Sequence, residues 1–223
     1  ENFINLMHLR CDQNFITEVD LSQLSNLQEL YIVYNKIKYL DLSKNINLKN
    51  VNCSQNELDS VNIQGLSKLE FFTCFRNKLV EVNFRGCLNM IELRVWENKL
   101  EHLDLTDLVN LIQLYASDNP LESLKLTGLR KLTLVSCDKT NLKTIDVSYQ
   151  KNIISLNLDS CQYIETIFAK SGRTKEIPFI DLFNCKNLAY ICSDEISVDK
   201  FKRSLPSTNI TEVNSYCSFS PGK

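Results

Sequence analysis

The sequence is short of the residues that interrupt regular structure. It has 5 Gly and 4 Pro among 223 residues, too few for a collagen-like or low-complexity chain. No apolar run approaches the roughly 20 residues that a membrane-spanning helix needs. Neither sign of charge dominates: 25 Lys+Arg stand against 27 Asp+Glu, for a net charge of −2 and a pI of about 5.8. A general nucleic-acid partner is therefore not expected, because phosphate binding needs a basic face. There is no G-x-S-x-G, no phosphate-cradling glycine loop and no C-x-x-C. His8 and His102 are the two histidines. Glu92 and Glu97 lie close together in sequence, but glycoside hydrolysis needs two carboxyls at set distances across a cleft. No enzymatic activity and no cofactor are expected. The opening Glu1-Asn2-Phe3-Ile4-Asn5 has neither the basic start nor the apolar segment of a signal peptide. The expectation is a chain that begins after processing or is cut from something longer.

What the sequence does have is a fixed step. Asn14, Asn35, Asn56, Asn77, Asn98 and Asn119 recur every 21 positions. A period near 20 residues marks a stacked solenoid. Each Asn is read as a ladder rung, turned inward at the end of a short strand, where backbone groups cannot reach water and must be paired. Its amide both donates and accepts, which suits it to serve its own coil and the next. Around the rungs runs the register Leu-x-x-Leu-x-Φ-x-x-Asn-x-Leu-x-x-Leu-x-Leu, Φ being apolar or Cys. The third unit shows it as Leu48, Val51, Cys53, Asn56, Leu58, Val61, Ile63 and Leu66. In the seventh unit the rung becomes Thr140. Two further units have a step of 24 and carry Cys161 and Cys185 at the rung. The added residues fall around Ala169–Lys175, read as a longer outer loop.

Alternation at Leu-x-Φ predicts one short strand per unit, and units that cannot bury their apolar side alone stack with their strands parallel. A second alternating run, as in Leu40-Asp41-Leu42-Ser43, predicts extended structure on the outer wall and leaves little room for helix. The expected fold is an α/β repeat, a right-handed solenoid with a parallel β-sheet on its concave face and a mostly irregular or extended convex side. Residues 1–191 would form about nine coils, and 192–223 a C-terminal cap.

Nine cysteines cannot all pair within one chain. Cys11, Cys53, Cys74 and Cys137 share the inward column of Ile32, Val95 and Ala116, and Cys87 takes a leucine position. They read as small buried apolar residues. One thiol per coil does not converge as metal ligands do, and no metal is expected. Cys192 and Cys217 lie beyond the last repeat. Either they bridge, tying the cap to the final coil, or they are two more buried thiols. Within the cap, Asp199–Leu205 is expected to form a short helical turn stopped by Pro206. Ile210–Asn214 would return as an edge strand and help cover the apolar end.

The unit Leu48-Lys49-Asn50-Val51-Asn52-Cys53-Ser54-Gln55-Asn56-Glu57-Leu58 resembles bacterial leucine-rich repeats of the 21-residue class, and the resemblance covers nearly the whole chain. The stretch Leu188–Glu195, followed by Val213–Gly222, is similar to the end of the repeat region in large surface or secreted proteins of Flavobacteria and their relatives. The resemblance implies export to the cell surface or medium and a binding or adhesion role in a bacterium. It names no ligand.

Counting back from each rung places four columns on the concave face. Most positions are ordinary, such as Asn50, Asn52, Ser54 and Gln55. Tyr31 and Tyr34 in coil two, Phe71, Phe75 and Arg76 in coil four, Arg94, Trp96 and Glu97 in coil five and Tyr115 in coil six are not. Phe75 and Trp96 share a column on adjacent coils, about one strand spacing (roughly 5 Å) apart. Aromatics and Arg dominate protein interfaces, so these are the candidate ligand-binding residues. The alternative is that stacked aromatics only brace neighbouring strands. A protein ligand is the leading expectation, with a glycan or a ligand-free spacer role behind it and no membrane insertion. Asp138, Lys139, Asp159 and Asp181 lie further along the face. Asp138 and Asp159 share a column but belong to no D-x-D-x-D loop, so calcium is not favoured. Asn52-Cys53-Ser54 and Asn209-Ile210-Thr211 fit N-x-S/T, a motif that says little in a bacterial protein.

Overall fold

The computed structural model describes residues 3–206 and 210–217. The triplet beginning at Asn209 and the sequence after Cys217 therefore fall partly or wholly outside the described residues. In chain order the strands are β1 His8–Arg10, β2 Glu29–Tyr31, β3 Tyr39–Asp41, β4 Asn50–Asn52, β5 Ser60–Asn62, β6 Phe71–Thr73, β7 Glu92–Arg94 and β8 Gln113–Tyr115. They continue with β9 Leu134–Ser136, β10 Thr144–Asp146, β11 Ser155–Asn157, β12 Thr166–Ala169, β13 Phe179–Asp181 and β14 Tyr190–Ser193. Helix α1 Glu195–Ser204 precedes β15 Glu212–Asn214.

One strand per coil builds a nine-stranded parallel sheet in the order β1-β2-β4-β6-β7-β8-β9-β11-β13. The register follows the repeat: His8 pairs with Glu29, Glu29 with Asn50, and so on, 21 residues apart, until the step lengthens to 24 between Ser155 and Phe179. The second wall is discontinuous. It has a β3–β5 pair early and a four-stranded β10-β12-β14-β15 sheet late. Between the walls lies a single apolar core of stacked Leu, Ile, Val and Cys rows, with Phe72 against Phe84 at 6.3 Å.

The rungs do the bonding expected of them, but toward the preceding coil. Asn56 Nδ2 donates to Cys53 O and Ser54 O of its own coil and to Ile32 O of the coil before, while its Oδ1 accepts the Ile37 N–H. Asn35, Asn77, Asn98 and Asn119 repeat the pattern. Asn14, in the first coil, donates to Cys11 O and Asp12 O of its own coil. The residue before each rung, from Gln13 through Asn184, has a φ between 51° and 59°. This left-handed turn is unfavourable for a residue with a Cβ; the amide bonds of the Asn rungs support it in the first six coils, and Thr140, Cys161 and Cys185 stand at the rung in the later ones.

A second set of polar groups does similar work on the other side. Asn45 Nδ2 donates to Leu21 O and Leu24 O, and Gln150 Nε2 to Leu126 O and Leu129 O. Both stand in a column otherwise filled by Leu24, Leu66, Cys87, Leu108 and Leu129. Gly65 and Gly86 approach closely in successive coils: a Cβ on Gly86 would lie 3.0 Å from Gly65 Cα.

The C-terminal region departs from expectation in three respects. The helix spans ten residues, starting four positions before the expected turn. Its buried face of Ser197, Val198 and Phe201 requires residues 195–198 to be helical, and Glu195 at the start with Lys202 and Arg203 at the end suits the helix dipole. The returning strand is confined to residues 212–214, with Ile210 fully exposed. The stretch expected as an outer loop begins inside β12 and then turns inward. Arg173 is only 3% exposed at its side chain and pairs with Asp194 at 3.4 Å. Asp194 Oδ1 and Oδ2 also accept the Gly172 and Ser171 N–H groups. Cys192 of β14 is bonded to Cys217, with Cα atoms 4.9 Å apart.

Candidate functional site

Because the side chains of a strand alternate, the outward positions of the nine-stranded sheet fall into columns that cross it from coil to coil. One column carries Tyr31, Asn52, Thr73, Arg94, Tyr115, Ser136, Asn157 and Asp181 in register. Two residues further along each coil, the column holding Phe75 and Trp96 runs beside it.

The two rings stack at 4.0 Å between centroids and 8° between planes, and Tyr115 meets Trp96 at 6.2 Å and 65°. The stacking direction is the coil-to-coil direction, so the rings stand up from the sheet and offer their rims outward. The Arg94 guanidinium lies 5.0 Å over the Tyr115 ring and pairs with Glu92. Arg76 pairs with Glu97 at 2.9 Å, a contact that raises the guanidinium's already high pKa. Tyr115 OH donates to Gln113 Oε1 at 3.1 Å. Phe71, on β6, is 36% exposed and in register with Glu92, the partner of Arg94. Phe71, Phe75, Arg76, Arg94, Trp96, Glu97 and Tyr115 thus form one continuous patch on coils four to six.

Tyr31 does not join it, whereas Tyr34 lies within electrostatic reach of Arg76. Asn52 and Thr73 separate Tyr31 from Arg94 in the shared column, three strand spacings or about 14 Å. Tyr31 instead lies under Arg10 at 5.4 Å and accepts a hydrogen bond from Asn50 Nδ2. Tyr34 is 53% exposed at the left-handed turn of its coil. Ser54, expected on the open face, is fully buried, with an Oγ that has no hydrogen-bond partner. It stands one coil before Phe75 in the same column.

Beyond Trp96 the face changes character. Ser117 and Ser136 hydroxyls and Asn157 Nδ2 all donate to Asp138 Oδ1. Lys139 pairs with Asp118 at 3.3 Å, which raises the lysine pKa. Asp159 Oδ1 accepts from Ser160, and Asp181 Oδ1 from the Phe183 N–H. Among the described residues no group of His, Cys, Asp and Glu converges as metal ligands do. His102 lines an open cleft of about 400 Å³ with Glu122, Ser123, Asn141, Lys143 and Tyr163, on the side of the second wall and away from the aromatic patch.

Sequence reading missed the Ser117–Asp138–Asn157 network, the Asn45 and Gln150 bridges and the Arg173–Asp194 pair. Asn45 and Gln150 had a signal, since each is a polar residue in a leucine column. The pair had none, because its partners belong to stretches outside the repeat register.

No protein-family model matches the chain, and no curated protein does. Solved structures match it in fold. A leucine-rich-repeat protein of Leptospira interrogans superposes with a TM-score of 0.56 at 18% identity, over 95% of this chain and 73% of that one. The leucine-rich-repeat ectodomain of the plant membrane receptor kinase GASSHO1/SCHENGEN3 from Arabidopsis thaliana was solved in complex with CASPARIAN STRIP INTEGRITY FACTOR 2. It gives 0.51 at 17% identity, over 78% of this chain and 30% of that one. The functional domain of InlJ from Listeria monocytogenes, which includes a cysteine ladder, gives 0.43 at 20% identity, over 93% of this chain. The chain spans 56% of that domain's length. The Leptospira and Arabidopsis superpositions show the fold to be a leucine-rich-repeat solenoid.

Proposed function

We propose that the chain is a non-catalytic binding module that takes a protein ligand on its concave face, as part of an exported adhesion-type molecule at the surface of a bacterium. The observation that carries this reading is the standing stack of Phe75 and Trp96, edged by Tyr115, Arg94 and the Arg76–Glu97 pair. Large rings at an open sheet face combine apolar area with little side-chain freedom to lose, and an Arg beside them adds directional donors. The binding and surface roles are consistent with the leucine-rich-repeat fold, and the receptor ectodomain of the same fold was solved with a bound partner.

A glycan is the second reading. A sugar stacks on a bare ring face, whereas here Phe75 and Trp96 cover one another and Arg94 lies over Tyr115. The rims that remain suit the mixed apolar and polar contacts of a protein surface. A spacer role without a ligand predicts that nothing is captured.

The test is the triple variant Phe75→Ala/Trp96→Ala/Tyr115→Ala, compared with the parent in pull-downs from host and neighbouring-cell extracts and on a glycan array. The expected result is loss of protein capture with an unchanged circular dichroism spectrum. Capture that survives the triple change places the binding surface elsewhere, capture only of glycans favours the second reading, and capture of neither favours the spacer.

A further inference from the structure

The two halves of the concave face differ in a way that bears on the ligand. In coils one to five each outward arginine already has a carboxylate: Arg10 with Asp12, Arg76 with Glu97 and Arg94 with Glu92. This half is aromatic, and its arginines are already paired. In coils six to nine the outward charged positions are Asp118, Asp138, Lys139, Asp159 and Asp181, and Lys139 is committed to Asp118. Asp138, Asp159 and Asp181 accept hydrogen bonds from neutral donors only. Each of these carboxylates is positioned by a hydroxyl, an amide or a backbone N–H, and the one lysine among them, Lys139, pairs with Asp118 and lies within electrostatic reach of Asp138 and Asp159, so that four carboxylates share a single cation.

Building on the reading of the concave face as a protein-binding surface, we propose that its occupant is a basic polypeptide segment. An apolar or aromatic side chain of this segment packs against the Phe75–Trp96–Tyr115 rims, and lysine or arginine side chains reach the Asp138–Asp159–Asp181 row. The two features share one sheet. Trp96 follows β7, Asp138 follows β9, Asp159 follows β11 and Asp181 ends β13. The offset is two to four strands, or about 10–20 Å at the usual strand spacing. An extended chain advances about 3.3 Å per residue, so the basic residues fall roughly three to six positions from the anchor. Opposed charge sets orientation and raises the association rate, while the buried aromatic anchor supplies most of the affinity. Asp138 is itself held in place, because three side-chain donors converge on one of its oxygens.

The experiment uses a displayed library of random 12-residue peptides selected on the immobilised chain. Recovered clones are measured against the parent, against Trp96→Ala and against Asp138→Asn/Asp159→Asn/Asp181→Asn. Asparagine keeps the acceptor oxygen of each position and removes only the charge. The expected clones carry an aromatic or leucine residue with Lys or Arg about three to six positions away. They lose binding with Trp96→Ala, weaken about tenfold with the triple Asn variant, and weaken on raising salt from 0.05 to 0.5 M as screening requires. Clones that need Trp96 but show no basic enrichment, and bind the triple Asn variant unchanged, overturn the basic segment and leave the binding face standing. Clones indifferent to Trp96, or no clones at all, overturn both.

Discussion

Asn98 makes four hydrogen bonds, three by its Nδ2 to Cys74 O, Val95 O and Trp96 O and one by its Oδ1 from Leu79 N. Three coils on, Cys161 at the same position donates once, to Cys137 O, and Thr140 between them donates to Cys137 O and touches the Cys161 thiol. The left-handed turn is nevertheless the same, 52° at Glu97 and 57° at Ser160. The late coils hold that turn with weaker rungs and add support elsewhere. Their second wall becomes a four-stranded sheet, Arg173 is buried against Asp194, and a disulfide ties β14 to the chain after β15. Repeat arrays are stabilised by neighbour-to-neighbour terms, and here the chemistry of that term changes along the axis while the geometry does not.

The sharpest way to break this comparison is Asp194→Ala. It strands a guanidinium that is 3% exposed and removes the acceptor for the Ser171 and Gly172 N–H groups. Removing one member of a buried ion pair costs about 3–5 kcal/mol. A urea midpoint should fall accordingly. A loss under about 1 kcal/mol would show that the late coils do not lean on this pair. Next comes the disulfide. It closes a separation of 25 residues, for which loop-closure entropy gives about 3–4 kcal/mol. Cys192→Ser/Cys217→Ser should lower the stability of α1 and β15 by that order, read as faster amide exchange there, and leave β1 to β8 unchanged.

The rungs themselves come third. Asn98→Ala leaves the Leu79 N–H buried without its acceptor and should cost about 3 kcal/mol. Thr140→Ala loses a single hydroxyl bond and should cost about 1 kcal/mol. Equal costs would mean that the amide's extra bonds contribute nothing and that the contrast between the two regions is one of appearance.

How much of this was legible follows from the same contrast. Where the step is constant, counting from a rung locates a residue in three dimensions, and Phe75 beside Trp96 came from arithmetic alone. Counting could not supply ring orientation, which decides between a rim and a platform. It also misjudged Ser54, because a column position says where a side chain starts and not how much of it stays exposed. Once the step lengthened, the coordinate system failed. Arg173 looked like loop and is buried, and α1 begins at Glu195, four positions before the turn expected at Asp199. The direction of the ladder was misread for a different reason: the rungs were expected to serve the next coil, but an amide can serve either neighbour, and here it bonds to the preceding one.

The last effect concerns the thiols and is absent at neutral pH, appearing only at high pH. Burial pushes the Cys87 thiol up to about 11 and the Cys185 thiol up to about 12. Desolvation also raises Cys74 and Cys137 well above their usual range. The thiolate is the reactive form, so at pH 8 a disulfide-exchange reagent should find the buried thiols inert and react first with Cys11, which is the partly exposed one. The linkage has a definite sign. A group whose pKa is higher in the folded chain than in the unfolded one binds its proton more tightly when folded. The stability it contributes is fully present below the unfolded value, near 9, and is lost as pH rises toward the folded one. A urea midpoint should therefore hold up to pH about 9 and fall between there and 12. Cys87→Ala/Cys185→Ala should flatten that fall relative to its own value at pH 8. The two thiols belong to different regions: Cys87 donates to Ile63 O from a leucine column of the Asn-laddered body, and Cys185 donates to Leu158 O as a rung of the late coils. If Cys87→Ala reduces the slope and Cys185→Ala does not, the late rung is open to solvent in solution. The thinner ladder would then be looser as well as chemically different.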